Sequence, residues 1–155
     1  MTRNLRVEKK CFIVRYDDRL LREKVREGFD SVAPKILSED FSDLSIHHLS
    51  DNASLIHFGE CISSERVVDC FKKRGLWPGL PTDLVDLAKS CPSASLDKCF
   101  PIVALGDPRN VLCLNGPCDV SYRALHMGLW RSIWGDYWWF LAFASQRQNL
   151  VSHLG

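Results

Sequence analysis

Phe100-Pro101-Ile102-Val103-Ala104-Leu105-Gly106-Asp107-Pro108-Arg109, followed by Val111-Leu112-Cys113-Leu114-Asn115-Gly116-Pro117, decides the reading of the fold. Two apolar runs, each too short for a helix and each closed by Gly, Asp, Asn or Pro, read as strand, turn, strand, turn. Tyr122 to Trp130, the turn at Gly135-Asp136, and Tyr137 to Phe143 continue the pattern. The spacing predicts a C-terminal four-stranded antiparallel meander.

Upstream of this block the pattern is helical. Thr82 is placed to N-cap a helix over Asp83 to Cys91, with Leu84, Val85, Leu87 and Ala88 inward and Pro92 ending it. The link Pro78-Gly79-Leu80-Pro81 separates it from a helix that Ser63 or Ser64 caps, that carries Val67, Val68 and Phe71 as one stripe, and that stops at Gly75. The two helices are expected to pack as neighbours. Leu44 to Leu49 and Ala53 to Phe58, separated by Ser50-Asp51-Asn52, predict a β-hairpin. Cys11 to Tyr16 predicts a strand, and Asp17-Asp18 the cap of a helix from Arg19 to Glu27 that ends at Gly28. Together these elements predict a single α+β domain over residues 1–155: a strand-helix-hairpin lobe (1–75), an aromatic-rich lobe (76–145) and a polar, frayed tail (146–155).

The run Phe100 to Gly106, preceded by the proline-flanked helix with Thr82 at its start and followed by Phe140-Leu141-Ala142, resembles a set of small uncharacterised bacterial proteins. Arg74-Gly75-Leu76, Val14-Arg15-Tyr16-Asp17 and Ile56-His57-Phe58 extend the resemblance over most of the chain. The chain departs from that pattern at Trp138-Trp139, where a charged or polar residue is expected. The resemblance implies a bacterial, cytoplasmic protein and transfers no catalytic residue.

At 155 residues, 46% hydrophobic and 25% charged, the chain has the profile of one globular domain that needs neither metal nor disulfides to fold. Twenty basic against nineteen acidic side chains leave a formal charge of +1, without the global field of a nucleic-acid or anionic-membrane binder. No apolar stretch approaches the roughly 20 residues of a membrane span. The charged start, Met1 to Lys10, lacks the apolar core of a secretory signal, and seven scattered cysteines with no C-x-x-C pair suit reduced thiols. Both features predict a cytoplasmic protein.

Residues 130–143 are the informative segment: seven of these fourteen positions are aromatic. As a strand, Tyr137, Trp139, Leu141 and Phe143 face one way and Trp138, Phe140 and Ala142 the other, so both faces require cover. Either the aromatics fill the core, or Trp130, Trp134 and Trp138 stand at the surface as partner anchors with Arg123 and Arg131 as a polar rim. The second alternative makes the protein a non-enzymatic interaction or oligomerising module, whose partner is another protein or a second copy.

Two further readings compete. The same tryptophans would stack single-stranded nucleic acid, with Arg109, Arg123, Arg131 and Lys72-Lys73-Arg74 on its phosphates, although residues 76–155 hold only six basic side chains against six acids. A cysteine/histidine hydrolase or metal enzyme would draw on His47 or His48 with His57 and Cys61 across the hairpin, or on a turn thiol at Cys118. No ligand spacing or nucleophile motif supports the last reading, and no P-loop or dinucleotide fingerprint occurs. No catalytic residue, metal ligand or cofactor is assigned.

Overall fold

The computed structural model describes residues 7–38, 46–48, 52–91, 99, 101–115, 123–144 and 147–149. In chain order the elements are β1 (Glu8–Ile13), α1 (Leu21–Lys24), β2 (Ser31–Val32), a 3-10 turn (Pro34–Leu37), β3 (Ile46–His48), β4 (Asn52–His57), β5 (Ile62–Ser63), α2 (Ser64–Lys73), β6 (Trp77–Pro78), α3 (Pro81–Ser90), β7 (Ile102–Ala104), β8 (Val111–Asn115), β9 (Ala124–Gly128), β10 (Ile133–Trp134), β11 (Trp139–Phe143) and β12 (Arg147–Asn149). No helix among the described residues is long and apolar enough to cross a membrane.

Eight strands form one mixed sheet in the order β1-β4-β11-β7-β8-β9-β2, with β6 pairing a second stretch of β11. The α+β class holds, but the C-terminal strands do not make a simple antiparallel meander. β7, β8 and β9 follow one another antiparallel as a meander does, whereas β11 runs parallel to β7 and lies between it and β4. The physical reason lies in the composition of β11: all five of its residues are buried, so it is stable only in the middle of the sheet with both faces covered. β10 leaves the main sheet altogether and pairs with β5.

Among the described residues β3 and β4 do not pair as the expected hairpin. β4 is buried from Ala53 to Ile56 on both faces, so it takes a neighbour on each edge, β1 in the register Glu8 to His57 and β11 in the register Trp139 to His57. β3 pairs instead with β12, which places residues 147–149 in a two-stranded sheet of their own; the expected loop residues Ser50 and Asp51 lie outside the described residues, as does the rest of the tail beyond 149.

The alternation of side chains then divides the core. Ala53, Leu55, Ile102, Ala104, Leu112, Leu114, Leu141 and Phe143 point to the face covered by α1, the 3-10 turn and α3. Ile56, Val103, Val111, Cys113, Phe140 and Ala142 point to the face covered by Val67 and Phe71 of α2. The two longer helices therefore cover opposite faces of the sheet and are not neighbours. Each had been expected to bury one apolar stripe; the sheet, apolar on both sides, gives each stripe its own face.

Local signals hold best at α2. Ser63 caps it, its hydroxyl accepting from the Arg66 amide at 3.2 Å. Its end is a Schellman motif: Gly75, at φ +69°, bonds to the Lys72 carbonyl, and the Leu76 amide bonds to the Phe71 carbonyl at 2.8 Å. α3 begins one residue before the expected Thr82 cap, with Pro81 in the first turn and the Asp83 carboxylate accepting from the Leu80 amide at 2.7 Å. α1 is a single turn instead of the expected nine-residue helix, because Asp17 turns its carboxylate onto the Arg19 amide and guanidinium and caps no later amide.

Candidate interaction surface

The residues between β9 and β11 form an aromatic ridge at one end of the sheet. β10 supplies its base: Ile133 and Trp134 pair with Ser63 and Ile62 of β5, which precedes α2 directly. This pairing sends alternate side chains in opposite directions, so Trp134 is buried while Ile133 is 68% exposed. The indole N–H of Trp134 donates to Ser64 Oγ at 2.9 Å, which satisfies its only polar atom inside the core.

Gly128 makes room for this indole. A Cβ there would stand 2.9 Å from the outer ring edge of Trp134 and 3.0 Å from Cys113 Sγ. Around Trp134 the other rings are ordered by contact: Trp138 meets it edge-on at 4.8 Å, and Tyr137 stacks on Trp138 at 6.1 Å. Trp130 is held by its own N–H, which donates to Glu65 Oε1 at 2.8 Å.

The result is a scaffold of rings bordered by apolar side chains that stand largely in solvent. Leu129, Ile133 and Tyr137 are 58%, 68% and 59% exposed, and Trp130 and Trp138 are half-buried. Arg131 and Asp136 are exposed on either side of β10.

Of the five residues singled out from the sequence, Trp130, Arg131, Trp134 and Trp138 are thus brought together, but their parts differ. Trp134 lies in the core and supports the ridge without facing solvent. Arg123 is not part of it. It precedes β9 at the end opposite Trp130, about 16 Å away along a five-residue strand. There its guanidinium donates to the carbonyls of Ala88 and Cys91 at the C-terminus of α3, and its amide donates to Asp30 Oδ2 at 2.6 Å. Burial of this guanidinium lowers its pKa from the usual arginine value. The exposure of Leu129, Ile133 and Tyr137 is not legible in the sequence, because it depends on β10 leaving the main sheet for β5, a pairing across some seventy residues.

The same geometry bears on the competing chemistry. Lys72, Lys73 and Arg74 sit at the C-terminal end of α2, whereas the ridge borders its N-terminal end at Ser64 and Glu65. At the ridge itself Arg131 is accompanied by two exposed acids, Glu65 on the Trp130 indole and Asp136 after β10, which offset the positive charge a phosphate backbone would use. Cys113 lies buried in the core, where desolvation pushes its thiol up to about 12 and keeps it protonated. Among the described residues no three His, Cys, Asp or Glu side chains converge to hold a metal ion. Because β3 pairs with β12, the backbone of His47 and His48 is not in the strand beside His57 that a histidine corner required. The turn carrying Cys118 lies outside the described residues. Comparison with protein-family models, curated proteins and solved structures returned no match for this chain.

Proposed function

We propose that this protein is a non-enzymatic interaction module that self-associates through the aromatic ridge, acting in the cytoplasm. The observation that carries the reading is the exposure of Leu129, Ile133 and Tyr137 within one nine-residue segment that internal hydrogen bonds and ring contacts hold rigid. Apolar groups fixed in a concerted arrangement lose little conformational entropy on binding and bury readily against a partner. A second copy fits this surface because the ridge carries its own complement of charge. Arg131 lies on one side of Ile133 and Asp136 on the other, so a two-fold axis near Ile133 sets each arginine opposite the aspartate of the other copy.

The test is light scattering after size-exclusion chromatography of the full chain, with absorbance at two wavelengths. A discrete dimer that reverts to monomer in Ile133→Glu and in Tyr137→Glu is the expected result. A monomer free of nucleic acid overturns self-association, and a monomer that carries excess absorbance at 260 nm replaces it with single-strand binding to the same rings.

A further inference from the structure

A second surface lies at the other end of α2. Val68, Lys72, Gly75, Leu76, Trp77 and Pro78 line an open groove of about 500 Å³ between the helix and β6. Its floor is preformed: the Schellman bonds from Gly75 and Leu76 fix the turn, and Trp77 and Pro78 are held by pairing with Phe143 and Ala142. The lining is apolar but for one cation, and Trp77 leaves 42% of its surface in water although its backbone is part of the sheet.

The charge around the groove is predominantly basic, with the exposed Asp69 one turn before Lys72 and Lys73 as the acid nearest in sequence. Lys72 lines it, and Lys73 and Arg74 follow on the same turn, all three exposed. None of the three forms an ion pair with a described residue, and no acidic side chain among the described residues lines the groove. Lysines at a helix C-terminus are favoured by the helix dipole, which accounts for their position. It does not account for an uncovered indole and an apolar trough beside them.

We propose that this groove docks an acidic segment of a protein partner, an apolar side chain of which enters between Val68, Leu76 and Trp77 while flanking carboxylates meet Lys72, Lys73 and Arg74. A trough of this volume takes one large side chain with part of its backbone, and three cations beside the single Asp69 leave a surplus of positive charge that an acidic segment matches and a lone small carboxylate does not. The inference stands apart from self-association through the ridge, since Ile133 and Tyr137 take no part in the groove.

The probe is a phage-displayed library of random twelve-residue peptides, selected on the immobilised full chain in moderate salt and counted against a blank support. Enrichment of peptides with several Asp or Glu around a Leu, Phe or Trp is expected. Their binding should weaken at least about tenfold in Lys72→Glu/Lys73→Glu and in Trp77→Ala, weaken with added salt, and persist in Ile133→Glu. The charge-reversal pair changes only exposed side chains, so it reads the site even if Trp77→Ala disturbs β6. No enrichment over the blank, enrichment of neutral or basic peptides, or binding indifferent to the charge reversal would each overturn the proposal.

Discussion

Lys24 Nζ donates to Asp86 Oδ1 across 2.9 Å, with the two side chains only 1% and 3% exposed. The pair joins α1, a single turn with little helical stability of its own, to α3, and it is supported on both sides. Lys24 also donates to the Asp17 carbonyl at 3.2 Å, and Lys89 donates to the Lys24 carbonyl at 3.0 Å. Burial outweighs the attraction of Lys24 and raises the Asp86 carboxyl from 3.8 to about 6, with the nearby Asp83 adding to the rise.

The consequence is a dependence of stability on pH with a definite sign. Folded Asp86 holds its proton at a pH where the unfolded chain has released it, so its contribution is complete below 3.8 and is lost as pH rises through about 6. Asp17 works in the opposite direction: its hydrogen bond with Arg19 keeps its carboxyl well below the usual range, and its contribution is lost only in strong acid. Between pH 5 and 8 the contribution of Asp86 therefore falls while that of Asp17 stays constant. Lys24→Met removes the compensating cation and pushes Asp86 higher still. Stability from urea unfolding of this variant should lie near the wild-type value at pH 5 and fall below it at pH 8, by up to about 2 to 3 kcal/mol, at about 1.36 kcal/mol for each pH unit above about 6. Lys24→Met/Asp86→Leu should recover most of that loss. A variant equally destabilised at both pH values would assign the pair a purely steric role.

Gly128→Ala tests the room made for Trp134. The added methyl group would stand 2.9 Å from the indole, closer than relaxed contacts come, and tight against Cys113 at 3.0 Å, so Trp134 must shift. A loss of about 1 to 3 kcal/mol is expected, together with a red shift of tryptophan emission as the ring moves toward water. Unchanged emission and stability would show that the site takes the methyl group without displacing the ring.

How much of this was legible in the sequence depends on the range of each interaction. α2 was readable because its determinants are local: Ser63, the stripe at Val67 and Phe71, and Gly75 lie within one helix length. The apolar runs at Ile102 and Val111 were readable as strands, since turn residues close both. The place of β11 was not, because double-sided burial says that a strand is central without saying between which neighbours. The ridge was half legible. Its tryptophans drew notice by their density, but which of them faces water follows from the pairing of Trp134 with Ile62 and from Ser64 and Glu65 as partners, all remote in sequence. Arg123 was misplaced for the same reason, its partners Ala88 and Cys91 lying more than thirty residues upstream.

Arg123→Met should act on stability and leave association untouched. Its guanidinium meets two carbonyls at the C-terminus of α3, and the half-buried methionine offers them no donor. A cost of about 1 to 3 kcal/mol is expected, with faster amide hydrogen exchange in the last turn of α3. The dimer expected from the ridge should survive in Arg123→Met; its loss would return this arginine to the interface.

Ser63 and Ser64, adjacent in sequence, hold different parts of the molecule, and alanine at each separates the two. Ser63 Oγ accepts from the Arg66 amide at the exposed start of α2, so Ser63→Ala loses a cap worth about 1 kcal/mol and leaves the amide to water. Ser64 is buried and its hydroxyl receives the Trp134 indole N–H. Ser64→Ala strands that donor in the core, a cost of about 1 to 3 kcal/mol that no solvent molecule offsets in a packed site. The two variants should also differ in what they do to the ridge. With Ser64→Ala, Trp134 loses its anchor, Trp138 loses the ring it meets edge-on, Tyr137 shifts with the Trp138 on which it stacks, and association should weaken along with stability. With Ser63→Ala, helix stability falls while the ridge keeps its geometry and the dimer its affinity. Urea unfolding and sedimentation of the two variants side by side decide the matter, and equal weakening of the dimer in both would mean that the ridge depends on α2 as a whole, with no special role for the Ser64 contact.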